Sequence, residues 1–291
     1  MKVLSTFWGS VRLSELGERG LLRELERRGL VRGISDDAAT IQVASWYREG
    51  EALVVTQDAL VEGVHFDLSR MGWRDLGFVA SAVNLSDLAA SGAEPRGLLV
   101  VLGVPSETAL ADVLELYGGI QETGVEVIGG DTTRADRVLV SVTALGAASR
   151  VPGRGGARPG DALVVTGPLG GAGAAFRQGR FVRPPLRIRE GAELAAAAHA
   201  MLDVSDGLAV DAAHLAERSS CRVVIELERV PLADGAELSD LAFGEDYELL
   251  AAVEPGTQSY PEIGRCEDGE GVTILDHGRP VELAGWEHFR S

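Results

Sequence analysis

Asp36 and Asp37 in Ser-Asp-Asp-Ala-Ala, Asp58 after Leu-Val-Val-Thr-Gln and Asp87 in Ala-Val-Asn-Leu-Ser-Asp-Leu-Ala-Ala stand beside or inside apolar runs. So do Asp131 after Val-Ile-Gly-Gly, and Asp203 and Asp206 in Leu-Asp-Val-Ser-Asp-Gly-Leu. A carboxylate in apolar surroundings is costly unless something compensates it. Two of them about 4 Å apart repel by roughly 4 kcal/mol at an effective dielectric near 20. Basic residues are scarce next to these aspartates, which leaves divalent cations as the natural compensator. Oxygen-only ligands point to Mg²⁺, Mn²⁺ or Ca²⁺ rather than zinc or copper, and Mg²⁺ takes one or two carboxylates plus substrate phosphates. Any one of these aspartates alone is also a common turn or helix-cap residue. It is the set that favours a shared metal site.

The bulk of the chain fits this chemistry. Asp and Glu outnumber Lys and Arg by 44 to 27, a net charge of −17. A field of that sign repels nucleic acid, and a phosphate substrate would need cations between itself and the protein. Most of the acidic excess, as at Glu24, Glu26 and Glu217, reads as solvated helix surface. With 291 residues, 45% of them hydrophobic and 24% charged, the chain reads as a soluble globular protein of two domains. Met1–Gly9 is too short and mixed for a signal segment, and the apolar run Leu98–Pro105 falls short of the roughly 20 residues of a membrane span. Cys221 and Cys266 are far apart and in no ligand spacing, as expected of buried free thiols in a reducing cytosol.

The elements that must position the aspartates alternate. Periodicity predicts helices over Leu13–Val31 with Ser14 as N-cap, over Arg74–Ser91, and over Ser106–Gly124. Strands are predicted at Ala39–Ala44, Ala52–Thr56, Arg96–Val104, Val125–Ile128 and Val138–Leu145. The Gly- and Pro-rich stretch Arg150–Gly160 reads as a loop and a domain boundary, giving domains 1–148 and 149–291. Beyond it, strands are predicted at Asp161–Thr166, Cys221–Leu227, Glu248–Val253 and Val272–Leu275, with helices at Ile188–Ala200 and Gly207–Arg218. Mixed strands and helices in both halves indicate an α/β or α+β protein.

Two glycine-rich segments invite a phosphate reading. Thr166–Ala175 lacks the lysine of a P-loop and the spacing of a dinucleotide fingerprint, so it reads as a tight strand-to-helix turn. In Ile128–Arg134, two glycines let backbone N–H groups approach a phosphate, with Asp131 placed to hold a metal on it.

The aspartate motifs occur in order with Thr-Gln-Asp-Ala-Leu-Val-Glu-Gly-Val-His-Phe, Ile-Gly-Gly-Asp-Thr-Thr-Arg and Phe-Gly-Glu-Asp-Tyr-Glu-Leu. As an ordered set running from Asp36 to Trp286, they resemble the thiamine-monophosphate kinase family, within the aminoimidazole ribonucleotide synthetase-like superfamily. The resemblance implies an N-terminal α/β domain whose sheet pairs with its twin in a homodimer, a C-terminal α+β domain, and ATP in a cleft without a P-loop. It implies a cytoplasmic, Mg²⁺-dependent transfer from ATP to thiamine monophosphate. It assigns Asp37, Thr56, Asp58, Asp87, Asp131, Asp203 and Asp206 to magnesium, and Tyr117, Gly130, Asp131, Arg154 and Ser205 to the nucleotide. His65, Glu245 and Trp286 go to the thiamine substrate. No general base is assigned, because the acceptor phosphate is already ionised.

Ser35 stands where the family usually has Gly, and Gln57 where it commonly has a second hydroxyl residue; neither change removes a carboxylate. The superfamily's selenophosphate synthetase and hydrogenase-maturation branches need a terminal Cys that this chain lacks at the matching positions. An aminoimidazole ribonucleotide synthetase-like activity, or a non-catalytic Mg²⁺-nucleotide-binding module, remains the alternative.

Overall fold

The computed structural model describes residues 11–31, 46–257 and 259–285. Ser35, Asp36, Asp37, the expected strand Ala39–Ala44 and Trp286 lie outside them. The chain divides into two compact units, residues 1–84 with 95–147, and residues 85–94 with 148–291.

In the first unit, α1 (Leu13–Arg27) is interrupted at Gly17, where φ is 68°. Its N-cap is Arg12 rather than Ser14, with no side-chain cap. The amides of Leu13 and Ser14 instead donate to the carbonyls of Thr108 and Ser106, at 3.0 and 2.9 Å. Glu24 is not solvated surface: it is 8% exposed. Arg27 bonds it at 2.7 and 2.8 Å and Arg28 at 2.6 Å, and these bonds hold its carboxyl down at about 2.

There follow β1 (Ala52–Val61), α2 (Trp73–Ala90), β2 (Glu94–Val104), α3 (Leu110–Glu122), β3 (Val127–Arg134) and β4 (Leu139–Ala148). Among the described residues the sheet order is β1-β4-β2-β3. β2 and β3 are parallel, as a crossover through a helix requires. α2 is apolar on nearly every side, and Leu76, Ala80, Leu85 and Leu88 are at most 1% exposed. It meets α3 backbone to backbone, because a Cβ on Gly77 or Gly119 would strike the carbonyls of Leu116 and Arg74. β3 does not stop at Ile128. It runs on through Gly129 and Gly130 after a register slip opposite Leu98 and Leu99, so Asp131 is a mid-strand residue.

The second unit holds β5 (Ala162–Val165), α4 (Gly171–Arg177), α5 (Ile188–Ala195), β6 (Ala200–Asp203), α6 (Leu208–Ser219) and β7 (Arg222–Glu226). It continues with β8 (Leu249–Val253), β9 (Glu262–Glu267), β10 (Gly271–Asp276) and β11 (Arg279–Val281). Its sheet runs β11-β10-β7-β9-β5-β8-β6 and is mixed. β5 and β8 are buried at every position. α6 packs Leu208, Ala212, Leu215 and Ala216 into the same core. α5 ends at Ala195, short of its expected end, and Arg150 donates to the carbonyls of Ala195 and Ala198. Ala89 and Ala90, from the 85–94 segment, join Ala162, Val164, Leu194 and Ala251 in a second core cluster. Both cysteines are free and buried. No helix among the described residues is long and apolar enough to cross a membrane.

Candidate active site

In the second unit, β6 delivers Asp203 to a buried position, 4% exposed. Ser86 Oγ, near the C-terminal end of α2, donates to its Oδ2 at 2.6 Å. Burial and then the neighbouring charge of Asp87 push the Asp203 carboxyl up to about 7, with Arg154 acting in the opposite direction. Two residues 116 positions apart in sequence, Asp87 and Asp203, therefore form an electrostatic pair, with Arg154 as the nearby cation.

The turn after β6 carries Ser205 and Asp206, both half-buried. It is held by a residue the sequence reading missed. Asp211, in the first turn of α6, accepts the amides of Ser205 and Asp206 at 3.0 Å each. Asp211 is 4% exposed, and burial raises its carboxyl to about 7. A signal was present: it is another aspartate in an apolar helical run, five residues beyond Asp206. Gly285, which precedes Trp286, lies against Val210 and the Asp206 carbonyl.

In the first unit, Thr56 and Asp58 lie on one face of β1, two residues apart. The Asp58 amide donates to Asn84 Oδ1 at 3.0 Å, and Asn84 in turn bonds the Ala80 carbonyl, which ties β1 to α2. Gln57 Nε2 donates to Ser141 Oγ at 3.2 Å and Ser141 donates to the Asp58 carbonyl at 3.0 Å. Gln57 thus serves the β1–β4 contact. Gly130 and Asp131 are exposed on β3, at the opposite edge of the sheet. Two strands separate Asp58 from Asp131, about 14 Å at the usual interstrand spacing, so one ion does not bridge them. Tyr117 on α3 is buried, and its hydroxyl, bonded to Thr132, is pushed up to about 12. A cavity of about 260 Å³ is lined by Ser14 and Gly17 of α1 and by Thr132, Thr133 and Arg134 of β3, among others. His65 Nδ1 accepts the Val61 amide at 3.1 Å, which places its proton on Nε2.

Glu245 lies in the loop before β8. It keeps solvent-accessible surface, yet surrounding protein, with Asp246 beside it, raises its carboxyl above the usual range. The glycine-rich turn after β5 is structural, because Asp246 fills its amides, accepting from Gly170 at 2.7 Å and Ala172 at 3.2 Å.

Among the described residues no three His, Cys, Asp or Glu side chains converge as a metal cage. Asp87 and Asp203 instead offer only oxygen donors, with charges that repel each other. That fits Mg²⁺, which leaves positions for phosphate oxygens.

A pH prediction follows from Asp203. The folded protein keeps its proton up to about 7, whereas the unfolded chain releases it near 3.8. Between those values the folded state binds more protons, so metal-free stability falls as pH rises. Melting curves in chelator at pH 5 and pH 8 should show wild type losing ground to Asp203→Asn at the higher pH; parallel curves would contradict the assignment.

Both halves of the chain match the AIR synthase related proteins. Their N-terminal domain matches residues 35–148 and their C-terminal domain residues 158–272. The chain is 34% identical to the thiamine-monophosphate kinase of Aquifex aeolicus, over 96% of this chain and 100% of that protein. It is 36% identical to that of Caulobacter vibrioides, over 92% and 88%. The solved structure of AaThiL complexed with AMPPCP and TMP superposes with a TM-score of 0.77 at 33% identity, covering 96% of this chain and 99% of that one. The chain belongs to the thiamine-monophosphate kinase family.

Proposed function

We propose that the protein transfers the γ-phosphoryl group of ATP to the phosphate of thiamine monophosphate, giving ADP and thiamine diphosphate. The observation that carries this reading is Asp203, 4% exposed and bonded by Ser86 at 2.6 Å, with the charge of Asp87 raising its carboxyl: carboxylates so placed need a cation or a proton. In the second unit, Asp87, Asp203 and Asp206 hold magnesium, Arg154 and Ser205 meet the nucleotide, and Glu245 and Trp286 meet the thiamine substrate. In the first unit, Asp37, Thr56, Asp58 and Asp131 hold magnesium, Tyr117 and Gly130 join Asp131 at the nucleotide, and His65 contacts the thiamine substrate. Bound Mg²⁺ supplies charge neutralisation between two anions.

The chain's own work is positioning. The acceptor oxygen is ionised near neutral pH, so no residue needs to remove a proton, and rate comes from orientation and electrostatics. Ser86 and Asp211 orient Asp203 and the Ser205–Asp206 turn. Arg154 offers a planar fork suited to phosphate. The decisive experiment supplies purified protein with ATP, Mg²⁺ and thiamine monophosphate and measures thiamine diphosphate. Magnesium-dependent product is expected. Magnesium-dependent nucleotide binding without product would favour the binding-module alternative.

A homodimer is part of the proposal. Among the described residues β1 lies at the edge of its sheet, and it presents Leu53 and Val55 on one face, 54% and 53% exposed. An apolar edge of this kind is a template for pairing, and a second copy is the occupant the resemblance implies. Light scattering should give a dimer for wild type and a monomer for Leu53→Glu/Val55→Glu. A dimer in both would remove β1 from the interface.

A further inference from the structure

Four non-glycine residues among those described have positive φ, and two of them, Glu245 at 57° and Tyr247 at 51°, share one loop. Gly244 beside them is at 79°, with no room for a Cβ against the Ser205 carbonyl. Such a backbone persists only where its surroundings over-determine it.

On one side the loop is bonded to the turn after β6. The amide of Glu245 donates to the Ser205 carbonyl at 2.8 Å, that of Tyr247 to Val204 at 2.9 Å, and that of Val204 to the Glu248 carbonyl at 2.8 Å. On the other side two carboxylates anchor it. Asp246, 7% exposed, takes the amides of Gly170 and Ala172 at the start of α4, and the Gly171 amide contributes as well. Glu248, 3% exposed, takes a two-pronged bond from Arg187 at 2.6 and 2.7 Å and the Thr166 hydroxyl at 2.6 Å. Glu245 is the acid of the three that retains solvent access.

We propose that Asp246 is a positioning residue: by filling the amides of the glycine-rich turn it fixes the left-handed backbone that presents the Glu245 carboxylate to the acceptor substrate. The inference rests on the acceptor role given to Glu245 above and adds the group that sets its aim. Asp246 is 7% exposed and both of its carboxylate oxygens are taken up by the Gly170 and Ala172 amides, so the effect expected of it runs through the aim of Glu245.

The test is steady-state kinetics on Glu245→Gln, Asp246→Asn and the double variant. Glu245→Gln and Asp246→Asn should each raise KM for thiamine monophosphate about tenfold, with KM for ATP within about twofold. The double variant should exceed Glu245→Gln by no more than about twofold, since two residues acting through one contact are not additive. Asp246→Glu keeps the carboxylate one methylene further out and should recover part of the loss. It also carries the test if Asp246→Asn does not fold. The inference is overturned if the Asp246 variants leave the acceptor KM unchanged while Glu245→Gln raises it, if both KM values rise together, or if the double variant is additive. No effect of Glu245→Gln would overturn the acceptor role of Glu245 together with the inference.

Discussion

Asp203→Asn is expected to lower kcat/KM by at least about a thousandfold, because in the proposed site it removes a carboxylate that would hold the charge-neutralising cation, an effect of several kcal/mol. The same substitution should make the metal-free protein more stable at pH 8. The buried charge and its repulsion with Asp87 disappear, and the amide oxygen can still accept the Ser86 hydroxyl, which now donates at 2.6 Å. Activity and stability then move in opposite directions, the signature of a charged site maintained for function. Turnover assays and chelator melts on one preparation decide it. A variant that loses activity and stability together would mark Asp203 as structural, and a fully active one would remove it from the metal site.

Gly130→Ala should be the most damaging glycine substitution in the first unit. Gly130 has φ 148° and sits directly opposite Val100 in the β2–β3 register. A Cβ there would run into the Val100 carbonyl, and Val100 is 1% exposed on an interior strand, so neither chain can withdraw. The expected loss exceeds about 4 kcal/mol, in the range reserved for severe overpacking and strain. Gly124→Ala is the control. Its φ is 78° but a Cβ would meet nothing within 4 Å, so it should cost only about 1–2 kcal/mol of backbone strain. Urea midpoints of the two variants separate the cases, and similar midpoints would show that the β2–β3 contact is not as tight as described.

Gly130 also shows where sequence reading stopped. A glycine pair after Val127-Ile128 breaks the strand pattern, and the expected strand ended there. The reason for glycine, a neighbouring backbone thirty residues earlier, has no local signal. Ser14 failed as an N-cap for the same kind of reason, since the first amides of α1 are satisfied by Ser106 and Thr108. β9 was missed because Glu262, Gly264 and Arg265 hide its alternation, and only Ile263 and Cys266 are buried hydrophobics. The apolar segments α2, β2, β5 and β8 were legible, because burial on all sides writes itself into composition. Asp203 stood out for its apolar context, and it is buried. That Asp87 faces Asp203, and that Asp211 and Asp246 serve backbone amides, depends on tertiary contacts that periodicity does not encode.

The short 85–94 stretch has a consequence for how such a gene can be rearranged. It is read early, between segments of the first unit, yet Ala89 and Ala90 complete a core otherwise built from residues beyond 148, and Gly191 is bare where the Ala89 backbone approaches. A fragment beginning at 149 would carry a groove where that stretch belongs, and one ending at 148 would carry an apolar strip with nothing to cover it. The boundary visible in the sequence is therefore no seam for recombination. Swapping either half with a relative would succeed only if residues 85–94 travelled with the second half.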